Sequence, residues 1–158
     1  MIYLGYTYTD QTSNRYHIAH RDFQPLAYHA PMDLLDTQLH ALIGDDGFAR
    51  LIVAFYRRIP ADPILGPMYA GRDMAAAEWR LREFLIGRFG GPERYIQLRG
   101  HPRLRMRHGP FKIDQRARDA WMVLMSAALE ETKLPPDAAA MLRKFFDYTA
   151  PFMINQLP

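Results

Sequence analysis

The sequence predicts an all-α fold, and three observations carry that reading. Apolar residues recur at three- and four-residue steps through several long stretches, the repeat of a helix that buries one face. Glycine and proline pairs punctuate those stretches, at Gly90-Gly91-Pro92, Gly109-Pro110 and Pro135-Pro136. The chain has 158 residues, 49% hydrophobic and 13% aromatic, which suits one domain burying roughly 70% of the surface its unfolded chain exposes.

Residues 1–32 read as an extension. They are polar and aromatic without helical periodicity, and their His17, His20 and His29 fit no metal-ligand spacing. The domain proper spans 33–158. Its first helical stripe is Leu34, Leu35, Gln38, Leu39 and Leu42, broken at Gly44. Asp45 and Asp46 are placed to cap a second helix, acidic charge meeting the positive helix end. Phe48, Leu51, Ile52, Phe55, Tyr56 and Ile59 form its buried face. Tyr56 therefore needs a partner for its hydroxyl, and a backbone carbonyl is the plainest one. Pro60 and Pro63 end this helix and open a corner that leads to Tyr69.

Asp73 caps the next helix, whose face is Met74, Ala77, Leu81, Phe84 and Leu85, with Arg80 beside it. The loop PERYIQLRG follows and holds Tyr95. The most basic stretch comes next, with Arg99, His101, Arg103, Arg105 and Arg107. Its arginines read as a solvated face, a cluster for carboxylates or a nucleic-acid patch. The last lacks aromatics interleaved for base stacking. A residue before proline is pushed out of helical backbone space, so a helix reaching His108 ends there, before Gly109-Pro110. The imidazole is left on the last turn, with Leu104, Met106 and Phe111 as apolar walls. Asp114 caps a further helix with Ala117, Ala120, Trp121, Leu124, Met125 and Ala128 on one face. The last stripe, Met141, Leu142, Phe145, Phe146, Thr149 and Phe152, reads as core or as the face of a homodimer.

One stretch is specific in its wording. GGPERYIQLRGHPRLRMRHGPFKI, followed by RDAW, closely resembles the proximal segment of the group II truncated haemoglobins, and the resemblance runs from Leu34 to Phe152. It implies a two-over-two helical sandwich around haem b. The histidine of the family's RMRH-x-PF string, its proximal iron ligand, falls on His108. The family's ligand-facing tyrosines match Tyr56 and Tyr69, and its indole N–H donor matches Trp121. Ala77 falls where globins commonly carry a histidine and leaves an opening, with Leu81 one turn on over the ring and Phe84 on the same face. Leu104 and Phe111 flank the proximal side. Arg107, because it adjoins His108, is the first candidate for the haem carboxylates; Arg80 is placed to extend to one as a charge-assisted partner, and Tyr95 resembles a family tyrosine in the same loop that can approach one. The chain departs from the pattern in its extension and in Gly44-Asp45, where the family often has two glycines.

The implied activity is binding of O2, NO, CO or peroxide at haem iron. It points to nitric oxide dioxygenation or peroxidase chemistry rather than transport, with a gas or redox sensor acting through residues 1–32 as the alternative. An external reductase is implied, because no Gly-rich dinucleotide fingerprint follows a strand. The absence of cysteine excludes disulfides, thiolate metal clusters and covalent haem attachment. No run of about 18 apolar residues predicts a membrane span, and no leader pattern opens the chain. The expected location is therefore cytoplasmic. The net charge of +3 admits an anionic cofactor without arguing for nucleic acid.

Overall fold

A kinked helix near the start of the domain is the support for the other elements. The computed structural model describes residues 36–156. The extension with its three histidines, and Leu34 and Leu35 of the first stripe, lie outside the described residues. A 3-10 turn, Asp36–Gln38, leads into α1, Leu39–Tyr56. The expected break at Gly44 is a kink within α1, with φ 61° and ψ 179°, a backbone region that is essentially glycine's alone. Asp45 does not serve as a helix cap. One of its carboxylate oxygens accepts from His40 Nε2 at 2.7 Å and the other from Arg94 Nη2 at 2.7 Å. Two charged or ring donors outcompete a single backbone amide for the same carboxylate.

After a 3-10 corner at Ile59–Ala61, Asp62 accepts from the amides of Ile64 and Leu65 and starts the short α2, Leu65–Tyr69. Asp73 caps α3, Met74–Arg88, by accepting from Ala76 N at 2.9 Å. The stretch expected as a loop contains a six-residue helix, α4, Arg94–Arg99. Arg94 holds it, its Nε donating to the buried Glu83 at 2.6 Å while Nη2 reaches Asp45. The short helix α5, Leu104–His108, ends at the histidine as expected. Asp114 caps α6, Gln115–Thr132, through Ala117 N at 2.8 Å. The last helix, α7, is Pro136–Phe152, with Pro136 in its first turn, where no amide is missed.

Helix α1 packs on α3 and on α6, α6 packs on α7, and α4 lies on α3. The pairs α1/α3 and α6/α7 make the two-over-two sandwich, with Phe48, Phe55, Phe89, Leu85, Met125 and Leu142 fully enclosed between them. One chain of ring contacts threads this core. It runs from Phe48 to Phe89, Phe145, Phe146, Trp121, Phe55, Tyr56 and finally Tyr69, with successive centroids 5.1–6.1 Å apart. Four residues of the α7 stripe, Leu142, Phe145, Phe146 and Thr149, are buried in this core, and Met141 and Phe152 are half-buried. Among the described residues no helix is long and apolar enough to cross a membrane.

Candidate functional site

The candidate site has two groups of residues. The first grows from the end of α1, from α2 and from α6. Tyr56 is the last residue of α1, and its ring meets that of Tyr69 edge to face, with centroids 5.9 Å apart. The Tyr69 hydroxyl is near enough to interact with that of Tyr56, and among the described residues no backbone carbonyl, the partner expected from the sequence, meets it. Burial, first, and then Tyr69 hold the Tyr56 phenol far above its usual range, so it stays protonated and able to donate. Burial likewise raises Tyr69, opposed by its bond to Tyr56 and by the positive charges of Arg80 and Arg72. Trp121 leans on Phe55 at 5.1 Å and on Phe146 at 5.3 Å. Two enclosed rings thus fix the indole. Among the described residues no acceptor meets its N–H.

The small Ala77 is buried on α3, with Leu81 half-buried one turn on. Phe84, also buried, packs edge to face on Tyr95 at 6.0 Å. Tyr95 is likewise buried, its ring under the α4 turn, with Arg107 over it at 5.9 Å. Arg80 is half-buried on α3, near enough for its charge to act on both tyrosines.

The second group is built on α5. His108 Nδ1 lies 2.7 Å from the Leu104 carbonyl, one turn earlier. A carbonyl only accepts, so Nδ1 carries the proton and Nε2 keeps its lone pair. Burial outweighs that bond and lowers the imidazole pKa, which favours the neutral ring that a metal requires. The Phe111 ring stands 6.4 Å away and the half-buried Leu104 packs against the core. Met106, expected as a third wall, is 61% exposed; a five-residue helix cannot present both Leu104 and Met106 to one side.

The basic run braces this helix. Arg107 donates from Nε to Pro102 O at 2.8 Å and from Nη2 to Arg99 O at 2.7 Å. Arg105 donates to the Phe152 carbonyl at 2.9 Å. Helical winding separates Arg105 from Arg107, and each finds backbone acceptors nearby.

Two residues of this region escaped the sequence reading. Arg72, between α2 and α3, donates to Met68 O and lays its guanidinium 4.3 Å from the Phe111 ring, so it links the tyrosine side to the histidine side. Asn155, beyond α7, bonds the backbone around His108. Arg72 stands in a GRD string that reads as a helix start. Asn155 has no signal in its neighbours, because its partners are over forty residues away.

Haem fits this donor set. Among the described residues no group of three or more His, Asp or Glu side chains could hold a bare metal ion. A lone neutral imidazole with a fixed tautomer would suit a metal whose remaining ligands a cofactor supplies. The unmatched indole N–H and the protonated phenol suit a polar ligand.

Known proteins of similar sequence and structure point the same way. Residues 38–155 match the model of a family described as bacterial-like globin. A group 2 truncated hemoglobin of Bacillus subtilis is 33% identical over 114 residues, covering 72% of this chain and 86% of its own. The crystal structure of a thermostable hemoglobin from Thermobifida fusca aligns with a TM-score of 0.73 at 41% identity, covering 76% of this chain and 98% of that one. A truncated oxygen-avid haemoglobin from Bacillus subtilis aligns with a TM-score of 0.70 at 32% identity, over 74% and 98% of the two chains.

Proposed function

We propose, for a chain that belongs to the bacterial-like globin family and within it to the group 2 truncated haemoglobins, that His108 ligates haem b and that Tyr56, Tyr69 and Trp121 hold a diatomic ligand. The family itself implies haem-based gas binding. The observation that carries the finer reading is the His108 imidazole, anchored at Nδ1 on the Leu104 carbonyl and open at Nε2. When bound, haem supplies an iron that takes O2, NO or CO reversibly and exchanges single electrons.

The chain's residues supply the rest. Leu104 orients the ring of His108 through its carbonyl, which makes the imidazole a stronger donor. Ala77, Leu81, Phe84 and Phe111 give an apolar lining that keeps water from the site. The Trp121 indole N–H donates to a ligand with anionic character. The Tyr56–Tyr69 pair, kept protonated by burial, adds phenolic donors. Arg80, with Tyr95 deeper in, is the partner proposed for the haem carboxylates. Arg107 was the sequence's first choice for that role, but it spends two donor nitrogens on backbone carbonyls.

A pocket this rich in donors releases oxygen slowly. Retention suits turnover, with held oxygen converting nitric oxide to nitrate, or peroxide-driven oxidation, better than it suits transport. Electrons come from an external reductase. The alternative, a sensor working through residues 1–32, rests on residues outside those described. The test is the absorption spectrum of the chain reconstituted with haemin, in ferric, ferrous and CO-bound states. A sharp Soret band that shifts with reduction and with CO is expected. A broad band like that of free haemin, unmoved by CO, would falsify the reading.

A further inference from the structure

The turn that follows His108 is held by one side chain from the far end of the chain. Asn155 lies three residues beyond α7 and fills the concave side of 108–113 with its amide. Its Nδ2 donates to His108 O at 3.1 Å and to Phe111 O at 2.8 Å. Its Oδ1 accepts from Ile113 N at 3.0 Å. Three of the four hydrogen bonds a carboxamide can make are thus spent on one turn. The backbone adds to the clamp, with Asn155 N and Gln156 N both donating to the Ile113 carbonyl, at 2.9 and 3.1 Å. Arg105, on α5 itself, bonds the carbonyls of Phe152 and Ile154, at 2.9 and 3.4 Å.

The need for a clamp is visible in the helix. α5 has five residues and contributes no fully buried side chain, so packing alone does not fix its rotation. A helix this short is not stable by itself. His108 O also accepts from Phe111 N at 3.0 Å. The Asn155 amide makes a second bond to the same oxygen and so fixes the peptide plane from which the imidazole hangs.

We infer that Asn155 is a positioning residue for His108, setting the direction of its Nε2 from the C-terminal tail. This rests on the haem reading above. Asn155 touches neither ligand nor cofactor in this account and acts only through the backbone of the 108–113 turn. A carboxamide is needed, because only that group offers two donors and an acceptor in one plane of this size. Asn155→Asp keeps the shape and loses both donors, setting a carboxylate against two carbonyls. Asn155→Ser keeps one donor.

The experiment reconstitutes the full chain and both variants with haemin. It follows haem transfer to excess apomyoglobin and the iron–histidine stretching band of the ferrous form. Loss of a group that orients a metal ligand commonly costs 10- to 100-fold in affinity, so haem transfer at least about 10-fold faster is expected for Asn155→Asp. A smaller acceleration is expected for Asn155→Ser, and both should show a shifted or broadened iron–histidine band at unaltered far-UV ellipticity. Transfer rates and bands matching the unaltered chain overturn the inference and leave the haem reading standing. Loss of ellipticity in both variants makes Asn155 a folding residue and also overturns it. An unaltered chain that takes up no haemin overturns the haem reading and this inference together.

Discussion

Trp121 and Tyr56 show how much a single position discloses. Helical spacing put both on a buried face, and packing was the plain reading of each. Tyr56 is buried, Trp121 is half-buried against two enclosed rings, and each also keeps a polar atom unspent on the backbone. The indole N–H is the donor that a small change removes most cleanly. Trp121→Phe preserves the ring stack on Phe55 and Phe146 and deletes the donor. A hydrogen bond to a ligand with charged character is worth roughly 1.5–3 kcal/mol, so stopped-flow oxygen release should accelerate by about 10- to 150-fold. An unchanged rate removes Trp121 from the donor set. The proposal for His108 came from the wording around it, since a lone histidine has no spacing to betray it. The roles of Arg105 and Arg107 were not legible. A basic run says that charge is present, whereas which carbonyls it meets depends on where α4 and α7 end.

At the scale of elements, the sequence disclosed the four helices that bury a stripe and read the short α2 and α4 as a corner and a loop. Helices α1, α3, α6 and α7 each turn an apolar face to the core. Helix α4 is six residues long, too short to show a period, and is held by Arg94 between Glu83 and Asp45. That clamp makes a pH prediction. His40, first, and then Arg94 hold the Asp45 carboxyl below its ordinary value of 3.8. A depressed carboxyl stabilises the fold above its unfolded pKa, and the contribution disappears as pH falls through that value towards the folded one. Asp45→Asn should therefore lower the thermal midpoint at pH 6–7 and leave it unchanged near pH 2, where both proteins carry a neutral side chain. Equal midpoints at neutral pH would contradict the assignment. A second prediction concerns the join of α3 to the start of the domain. Gly90 has φ 92°, and an added Cβ would lie 1.8 Å from the Thr37 carbonyl oxygen. Gly90→Ala should cost at least about 1–3 kcal/mol in denaturant unfolding, from backbone strain alone.

Across the whole molecule, the four stripes were readable from their spacing, since each had to find another to bury against, whereas their pairing two over two was implied by the resemblance to the truncated haemoglobins. The contacts that tune the centre were not readable. Arg72 on Phe111 and Asn155 on the His108 turn join segments roughly forty residues apart, and no local pattern encodes such pairs. Core packing sets the stability of the assembly. Phe55 is fully enclosed between Tyr56 and Trp121, so Phe55→Ala should cost about 3–5 kcal/mol and loosen both proposed ligand donors together. Equilibrium unfolding, with oxygen release on the same variant, measures the two effects.

The proposed clamp and the proposed polar pocket both depend on one imidazole nitrogen. The most direct measurement is haemin titration of His108→Gly, with and without free imidazole, followed by the ferrous spectrum. The predicted result is weak, diffuse uptake in the variant alone and recovery of a sharp Soret band when imidazole fills the gap. Uptake and spectra matching the unaltered chain under both conditions would contradict the account.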